Sequence, residues 1–394
     1  MAIASTQTMG AAYKIPEQSV NSTALAGAYI ANARGADANY YNPAAMVLNE
    51  NGAEIEGDLT VIHLTGIDMD NALTGKDETE KELFLIPTFH YISPIVNDTR
   101  FGLSVVAPAG LSKRWKGFNK AFAEEFTLKT VEFNPNVAYK ISDTVAVGAG
   151  LRVVYSEGVV KSTAAASRDL EGDSWDLGMN FAIHYRPTEQ LNLSATYRSK
   201  IDLTVTGNAE LTHALLPDYD GGASVTIPIP AALNLAAAYT FDRTTVELVY
   251  ERTRWAAYKE LDFDYSSPFH PGFAPFDAPI EKSWKDTNTY RIGITHKLDS
   301  RWTLMGGFAY DESPVDAEFA GYELPDSDAK IYSLGARYQY SDKLNVGFGL
   351  LYDTKKTLKI DPGENTGSSG TLSGGAEFEN ATAWLLTMGF NYKF

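Results

Sequence analysis

From about residue 54 onward, apolar and polar side chains alternate with a period of two. At the C-terminus Trp384, Leu386, Met388, Phe390, Tyr392 and Phe394 share one parity, while Ala383, Leu385, Thr387, Gly389, Asn391 and Lys393 share the other. A β-strand points successive side chains to opposite faces, so each set lines one face. The split recurs at Val145, Val147, Ala149, Leu151, Val153 and Tyr155, and again at Leu344, Val346, Phe348, Leu350 and Tyr352. Fourteen segments read this way: 54–66, 82–93, 99–115, 126–140, 145–161, 175–186, 191–206, 226–241, 244–261, 286–298, 302–311, 329–340, 343–359 and 381–394.

The connections alternate as well. Short turns fall at 94–98, 142–144, 187–190, 242–243, 299–301 and 341–342, and long loops at 67–81, 116–125, 162–174, 207–225, 262–285, 312–328 and 360–380. Six short turns and seven long loops fit fourteen up-and-down strands. Outer-membrane barrels place short turns on the periplasmic side and long loops outside. A soluble sandwich or propeller also alternates, but has little reason to sort its turn lengths by side. Tyr338, Tyr340, Tyr392 and Phe394 sit at strand ends, where interfacial girdles form. The expected fold is all-β, a 14-stranded antiparallel transmembrane β-barrel over residues 51–394, spanning the outer membrane of a Gram-negative bacterium many times.

Composition removes other classes. The chain has no cysteine, hence no disulfide framework, thiolate nucleophile or Cys-ligated metal. Its 33 Lys and Arg against 50 Asp and Glu give a net charge of −17, opposite in sign to the basic footprint of a nucleic-acid binder. The six histidines lack metal-ligand spacing, and no Gly-rich phosphate loop opens a helix. The reading is therefore no enzyme, no cofactor, no metal and no nucleic-acid partner. Asp68 with Asp70, and Asp262 with Asp264, are read as solvated loop charge.

Residues 1–11 carry no basic group and no long apolar core, so they are not a complete signal peptide; they read as a leader remnant or a flexible tail. Residues 12–50 break the strand rhythm. Small residues dominate, a short helix is expected within 24–33, and the segment is too small to fold alone. A fourteen-stranded barrel is too wide for its wall side chains to fill, so these residues are expected to plug the lumen as a hatch. In the third strand Pro108 cannot donate to a ladder and Gly110 marks a bend, so Ala107, Pro108, Ala109 and Gly110 should interrupt pairing. Asn42, Pro43 and Ala44 form a stiff turn, read either as an anchor or as a moving part. Trp115, Phe118, Phe122 and Leu215 are apolar groups on polar loops, candidates for a surface groove. Arg152, Arg291 and Arg337 face the lumen and are expected to pair with Glu132, Glu247 or Glu251.

Tyr13-Lys14-Ile15-Pro16-Glu17-Gln18-Ser19, Gly27-Ala28-Tyr29 and Asn42-Pro43-Ala44 resemble the N-terminal hatch of the FadL family. Ile227-Pro228-Ile229-Pro230, Trp284-Lys285-Asp286 and Asp311-Glu312-Ser313-Pro314-Val315 are similar to later segments of that family, and the resemblance covers residues 12–394. It implies a passive outer-membrane channel for long-chain fatty acids. Substrate docks on the loops, enters an apolar pocket, and leaves sideways where the third strand is kinked, here Ala107–Gly110, as the hatch shifts. It further implies basic groups for the carboxylate, nearest here at Lys161 and Lys282. The alternative is the same channel type for monoaromatic hydrocarbons or alkanes. The implied partners are hydrophobic small molecules, outer-membrane lipid and lipopolysaccharide, and a monomer is expected. An open porin or an outer-membrane lipase are the competing readings: a porin needs no hatch, and no distinctive Ser/His pair is present for a lipase.

Overall fold

The computed structural model describes residues 12–266, 270–367 and 371–394; the reading of residues 1–11 lies outside them. The barrel strands are β1 (Glu54–Leu64), β2 (Glu82–Ile92), β3 (Thr99–Val106 and Gly110–Lys113), β4 (Glu125–Lys140), β5 (Val145–Thr163), β6 (Ala166–Tyr185), β7 (Leu191–Arg198 and Ile201–His213), β8 (Tyr219–Ile229 and Ala232–Phe241), β9 (Thr244–Thr253), β10 (Thr287–Lys297), β11 (Trp302–Asp311), β12 (Ala329–Gln339), β13 (Leu344–Lys355) and β14 (Thr382–Lys393). Each pairs antiparallel with the next, and β1 closes the ring on β14 from Glu54↔Lys393 to Leu64↔Ala383. The fourteen-stranded closed barrel is as the alternation predicts. Pairing of β1 with β14 removes the two terminal sheet edges, as a wall in hydrocarbon requires.

The outer face follows from the parity. Along β6, Trp175, Leu177, Met179, Phe181, Ile183 and Tyr185 all point outward, with Leu177 73 % exposed. Apolar side chains on alternate positions, exposed on the protein surface, suit a lipid solvent. No helix among the described residues is long and apolar enough to cross a membrane. Aromatic pairs mark the short-turn rim: Trp302 with Tyr338 (4.8 Å between ring centres) and Tyr392 with Phe394 (5.3 Å).

Two loop expectations are corrected. Residues 162–174 and 207–225 are not open loops. β5 and β6 continue to a turn at Ala164-Ala165, and β7 and β8 continue to a turn at 214–218. Their outward positions there are charged (Asp169, Glu171, Glu210, Asp220), so the strands run on past the lipid into water. The period of two persists; only the apolar face ends. β9 is shorter than expected and stops at Thr253, followed by a 3-10 turn at Trp255–Ala257.

The hatch fills the lumen. Its first helix, α1, is Val20–Ala24 rather than a helix within 24–33. Ser19 caps it by accepting from Ser22 N–H. Ala26 (φ 50) and Gly27 (φ +75) then enter the left-handed region in succession, which ends the helix. A second short helix, α2 (Ala38–Tyr41), and a 3-10 turn (Pro43–Leu48) lead to β1. The inner wall matches this plug in layers. Glu54, Glu56, Asp58 and Thr60 of β1 are buried against the hatch, while Ile62 and Leu64 join an apolar layer with Ile15, Phe84, Ile86 and Leu385 above it.

Candidate functional site

The third strand is broken where Pro108 falls. β2 pairs with β3 only from Phe89↔Val105 to Ile92↔Gly102, so residues 82–88 of β2 have no ladder partner in β3. On its other side β3 pairs with β4 through Val106↔Glu132, then Gly110↔Lys129. Three residues (Ala107–Ala109) thus oppose two (Thr130, Val131), a bulge that swings the strand inward. Thr130 Oγ1 accepts from Ala109 N–H at 3.1 Å and donates back to the Ala109 carbonyl.

Backbone groups freed by the bulge are taken up by the hatch. Ile15 N–H donates to Pro108 O (3.0 Å), Gly110 N–H donates to Tyr13 O (2.9 Å), and the Gln18 amide exchanges two bonds with Ala107. The hatch segment 13–18 therefore acts as a short stand-in strand inside the break. Buried backbone groups left unpaired are costly, so this seal stays while the hatch stays. The predicted interruption at Ala107, Pro108, Ala109 and Gly110 is where the wall and hatch meet.

Above the seal lies an aromatic box. Tyr13 packs on Trp255 (4.8 Å), Trp284 (5.9 Å) and Tyr258 (6.3 Å), and its hydroxyl donates to Pro228 O at 2.5 Å. Burial and nearby negative charge push the Tyr13 phenol up, so it stays a donor. Trp255 is buried and its indole N–H has no partner among the described residues. In the sequence Tyr13 and Trp284 stand out only as motif members and Trp255 only lies within the expected strand 244–261; their convergence from the hatch, the end of β9 and the next loop is long-range.

The hatch is held from below by named bonds. Asn42 Nδ2 donates to Ile30 O (2.9 Å) and to Ser194 Oγ of β7 (3.0 Å), with His184 Nδ1 of β6 at 3.2 Å. Pro43 starts the 3-10 turn, whose missing N–H costs nothing there. Ala44 N lies so close to β5 that a Cβ on Gly148 would sit 2.6 Å from it. Glu247 of β9 accepts N–H groups from Ile30 (2.8 Å), Ala31 (2.6 Å) and Asn32 (3.3 Å). The sequence marks Gln18 only as part of the hatch motif and Glu247 only as a candidate partner for the lumenal arginines, since polar lumen residues alternate on every strand.

The lumenal arginines divide. Arg152 pairs with Glu132 through Nε and Nη2, both at 3.0 Å, as expected. Arg337 pairs with Glu56 of β1 rather than with Glu132, Glu247 or Glu251, because Glu247 is committed to the hatch backbone. Arg291 lies 3.8 Å from Glu251.

The remaining candidates lie in the loops and strand extensions. Lys161 bonds Asp169 across the β5–β6 extension at 2.7 Å, and Lys282, buried, pairs with Glu323; the two are not brought together. Trp115 is buried rather than exposed, donating to Tyr322 O at 2.9 Å. Phe122 stacks on the same Tyr322 (4.6 Å, 8°) and lies 6.2 Å from Phe118, which is 58 % exposed. Leu215 stands apart on the β7–β8 turn, 86 % exposed. Asp70 lies 3.9 Å from Lys76 and Asp68 accepts from Asn380. Among the described residues no cluster of His, Asp or Glu could hold a metal.

Known proteins share this architecture. The whole chain, residues 1–394, matches the family described as "Outer membrane protein transport protein (OMPP1/FadL/TodX)". It is 24 % identical to a long-chain fatty acid transport protein of Escherichia coli O6:H1, covering 100 % of this chain and 97 % of the relative. Outer membrane protein P1 of Haemophilus influenzae is 23 % identical over 78 % of this chain and 75 % of its own. Two crystal structures share the fold. The Pseudomonas aeruginosa FadL homologue has TM-score 0.80 and 19 % identity, covering 98 % of this chain and 100 % of that one. The P. putida toluene transporter TodX has TM-score 0.73 and 15 % identity, covering 95 % and 98 %. The chain belongs to the FadL/TodX family of outer-membrane transport proteins, a multi-pass barrel that passes hydrophobic molecules and catalyses no reaction.

Proposed function

We propose that the chain carries long-chain fatty acids inward by passive diffusion, with exit into the membrane through the wall at Ala107–Gly110. The observation that supports this is the stretch 82–88 of β2, paired with β1 but with no ladder partner in β3, and faced by a bulge whose backbone bonds are completed by the hatch. Substrate meets the exposed Phe118 beside Phe122 and Tyr322, then reaches the aromatic box, where Tyr13 stands in its way. Moving Tyr13 breaks its carbonyl's bond to Gly110 N–H, so the same movement that clears the box loosens the seal. On this reading the barrel works as a monomer surrounded by outer-membrane lipid and lipopolysaccharide, its ring closed within one chain by the β1–β14 pairing.

A second reading is the same route for monoaromatic hydrocarbons. The aromatic box favours it, because stacked and edge-on rings accept an aromatic guest without any charged group. TodX, which shares this fold, is a toluene transporter.

The test is uptake of oleate and of toluene in a host lacking its own transporter. A variant replacing Ala107-Pro108-Ala109 by Val-Thr removes the bulge and restores register with β4. Uptake should fall to the empty-host level while the variant still folds into the membrane. Normal uptake by the straightened variant overturns lateral exit. No uptake of either compound by the wild type overturns the transport assignment.

A further inference from the structure

Between the hatch and the wall lies an interior cavity of about 70 Å³, room for a few water-sized groups. Ile15, Pro108, Ile229 and Pro230 give it an apolar lining that reaches the break in β3. Four cations, Lys14, Arg152, Arg198 and Arg291, also line it, against one carboxylate, Glu251.

Three of these cations have their partners. Arg152 and Arg198 share Glu132, and Arg152 also donates to Ser199 O at 2.7 Å. Lys14 takes Glu251 Oε1 at 2.5 Å and Thr253 Oγ1 at 3.2 Å. Thr253 donates to that same Glu251 oxygen at 3.1 Å. Arg291 differs. It is 6 % exposed, makes no hydrogen bond among the described residues, and has only Glu251 at 3.8 Å, an oxygen already used twice. Its buried Nε has no partner among the described residues. A guanidinium offers five N–H donors in a fork that matches a carboxylate, and leaving them unpaired in a buried site is costly. Gly27 makes room for it: a Cβ there would stand 2.8 Å from Nε. Glu17 and Asp311 also lie within electrostatic reach of it, and the selectivity of the site rests on unfilled hydrogen-bond geometry and not on net charge.

Resting on the transport reading above, we propose that Arg291 is the carboxylate-binding group of this channel: it holds the head of a hydrophobic acid in the hatch cavity, with the chain running along Ile15 and Pro108 toward the break in β3. The substrate class is then an amphipathic acid and not a neutral hydrocarbon.

The test is binding of oleate and of oleyl alcohol, of matching chain length but without the charge, to the full chain in a short-chain detergent, read by intrinsic tryptophan fluorescence. The wild type should bind oleate at least about 10-fold more tightly than the alcohol. Arg291→Met should erase that preference and leave the alcohol unchanged. Arg291→Lys, which keeps the charge but not the fork, should lose part of it, and this variant decides the matter if the methionine variant does not fold. Equal binding of acid and alcohol by the wild type overturns the proposal while leaving transport standing. So does a methionine variant that weakens both ligands alike, since the guanidinium then serves only the hatch. Binding of neither ligand by the wild type overturns both readings.

Discussion

Gln18 and Ala107 are joined by a two-point contact: Ala107 N–H donates to Gln18 Oε1 at 2.9 Å, and Gln18 Nε2 donates to Ala107 O at 2.8 Å. One residue is in the plug and the other in the wall, 89 positions apart. A primary amide presents a donor and an acceptor side by side, as a neighbouring strand does. The side chain therefore supplies a β-like contact where the barrel has none.

Gln18→Met keeps the length and removes both bonds, together with the one that Gln18 Nε2 donates to Ile15 O at 2.8 Å. Three buried backbone groups lose this partner, at about 1–3 kcal/mol each. The stretch 13–18 should detach from β3 far more often. Amide exchange at Ala107 and at Ile15, whose N–H bonds Pro108 O, should accelerate by roughly tenfold or more. Unchanged exchange at both amides would show that the seal does not depend on this contact.

Glu247 fixes the other side of the plug. Glu247→Ala removes the acceptor for Ile30, Ala31 and Asn32 together, whereas Glu247→Gln retains one oxygen for the two shorter bonds. The alanine variant should open spontaneously in planar bilayers more often than the wild type, and the glutamine variant should lie between them. Identical conductance traces for all three would dismiss Glu247 as an anchor.

The wall was legible in the sequence because lipid outside and a plug inside impose opposite polarities on alternate positions. β14 is the clearest case, with Trp384 to Phe394 outward and Thr387 and Asn391 inward. That contrast ends where water replaces lipid. Asp169 and Glu171 are outward strand residues beyond the bilayer, and without an apolar face they read as loop. Within the site, Pro108 announced the break through its missing N–H. Gln18, Glu247 and the unpaired state of Arg291 did not, because each depends on a partner more than 70 residues away or on the lack of one. The Arg337–Glu56 pair, which joins β12 to the first strand, was hidden for the same reason.

Asp286, just before β10, ties down the segment after β9. It accepts from Arg254 (2.7 Å), Ala256 N–H (3.1 Å) and Arg252 (3.3 Å). Burial pushes its carboxyl up, but the bonds from Arg254 and Ala256 and the two guanidinium charges outweigh this and hold it below the usual carboxylate value. The folded state thus binds its proton less readily than the unfolded chain. The contribution is fully present above the unfolded value near ~3.9 and is lost as pH falls through the lower folded value. Asp286→Asn should remove that acid-side dependence, seen as Ala256 amide exchange that no longer rises between about pH 4 and pH 2. A variant that keeps the wild-type profile would locate the titration elsewhere.

Glu132 is the acid that Arg152 and Arg198 share, and Arg198 also lies 4.3 Å over the Tyr40 ring of the hatch. All three wall residues are largely buried, so their worth is asymmetric. Removing the carboxylate alone leaves two guanidiniums without a counter-charge, and breaking a buried pair typically costs about 3–5 kcal/mol. Replacing the whole set by apolar groups of similar size costs much less, because the desolvation of the charges is no longer required. Glu132→Gln should therefore lower the temperature at which the folded band converts to the unfolded one in heat-modifiability gels. Glu132→Leu combined with Arg152→Met and Arg198→Met should recover most of that loss while freeing Tyr40 from its cation. If the triple variant is no more stable than Glu132→Gln alone, uncompensated charge is not what the single substitution exposes, and the triad contributes through its hydrogen bonds to Ser199 and Asn134.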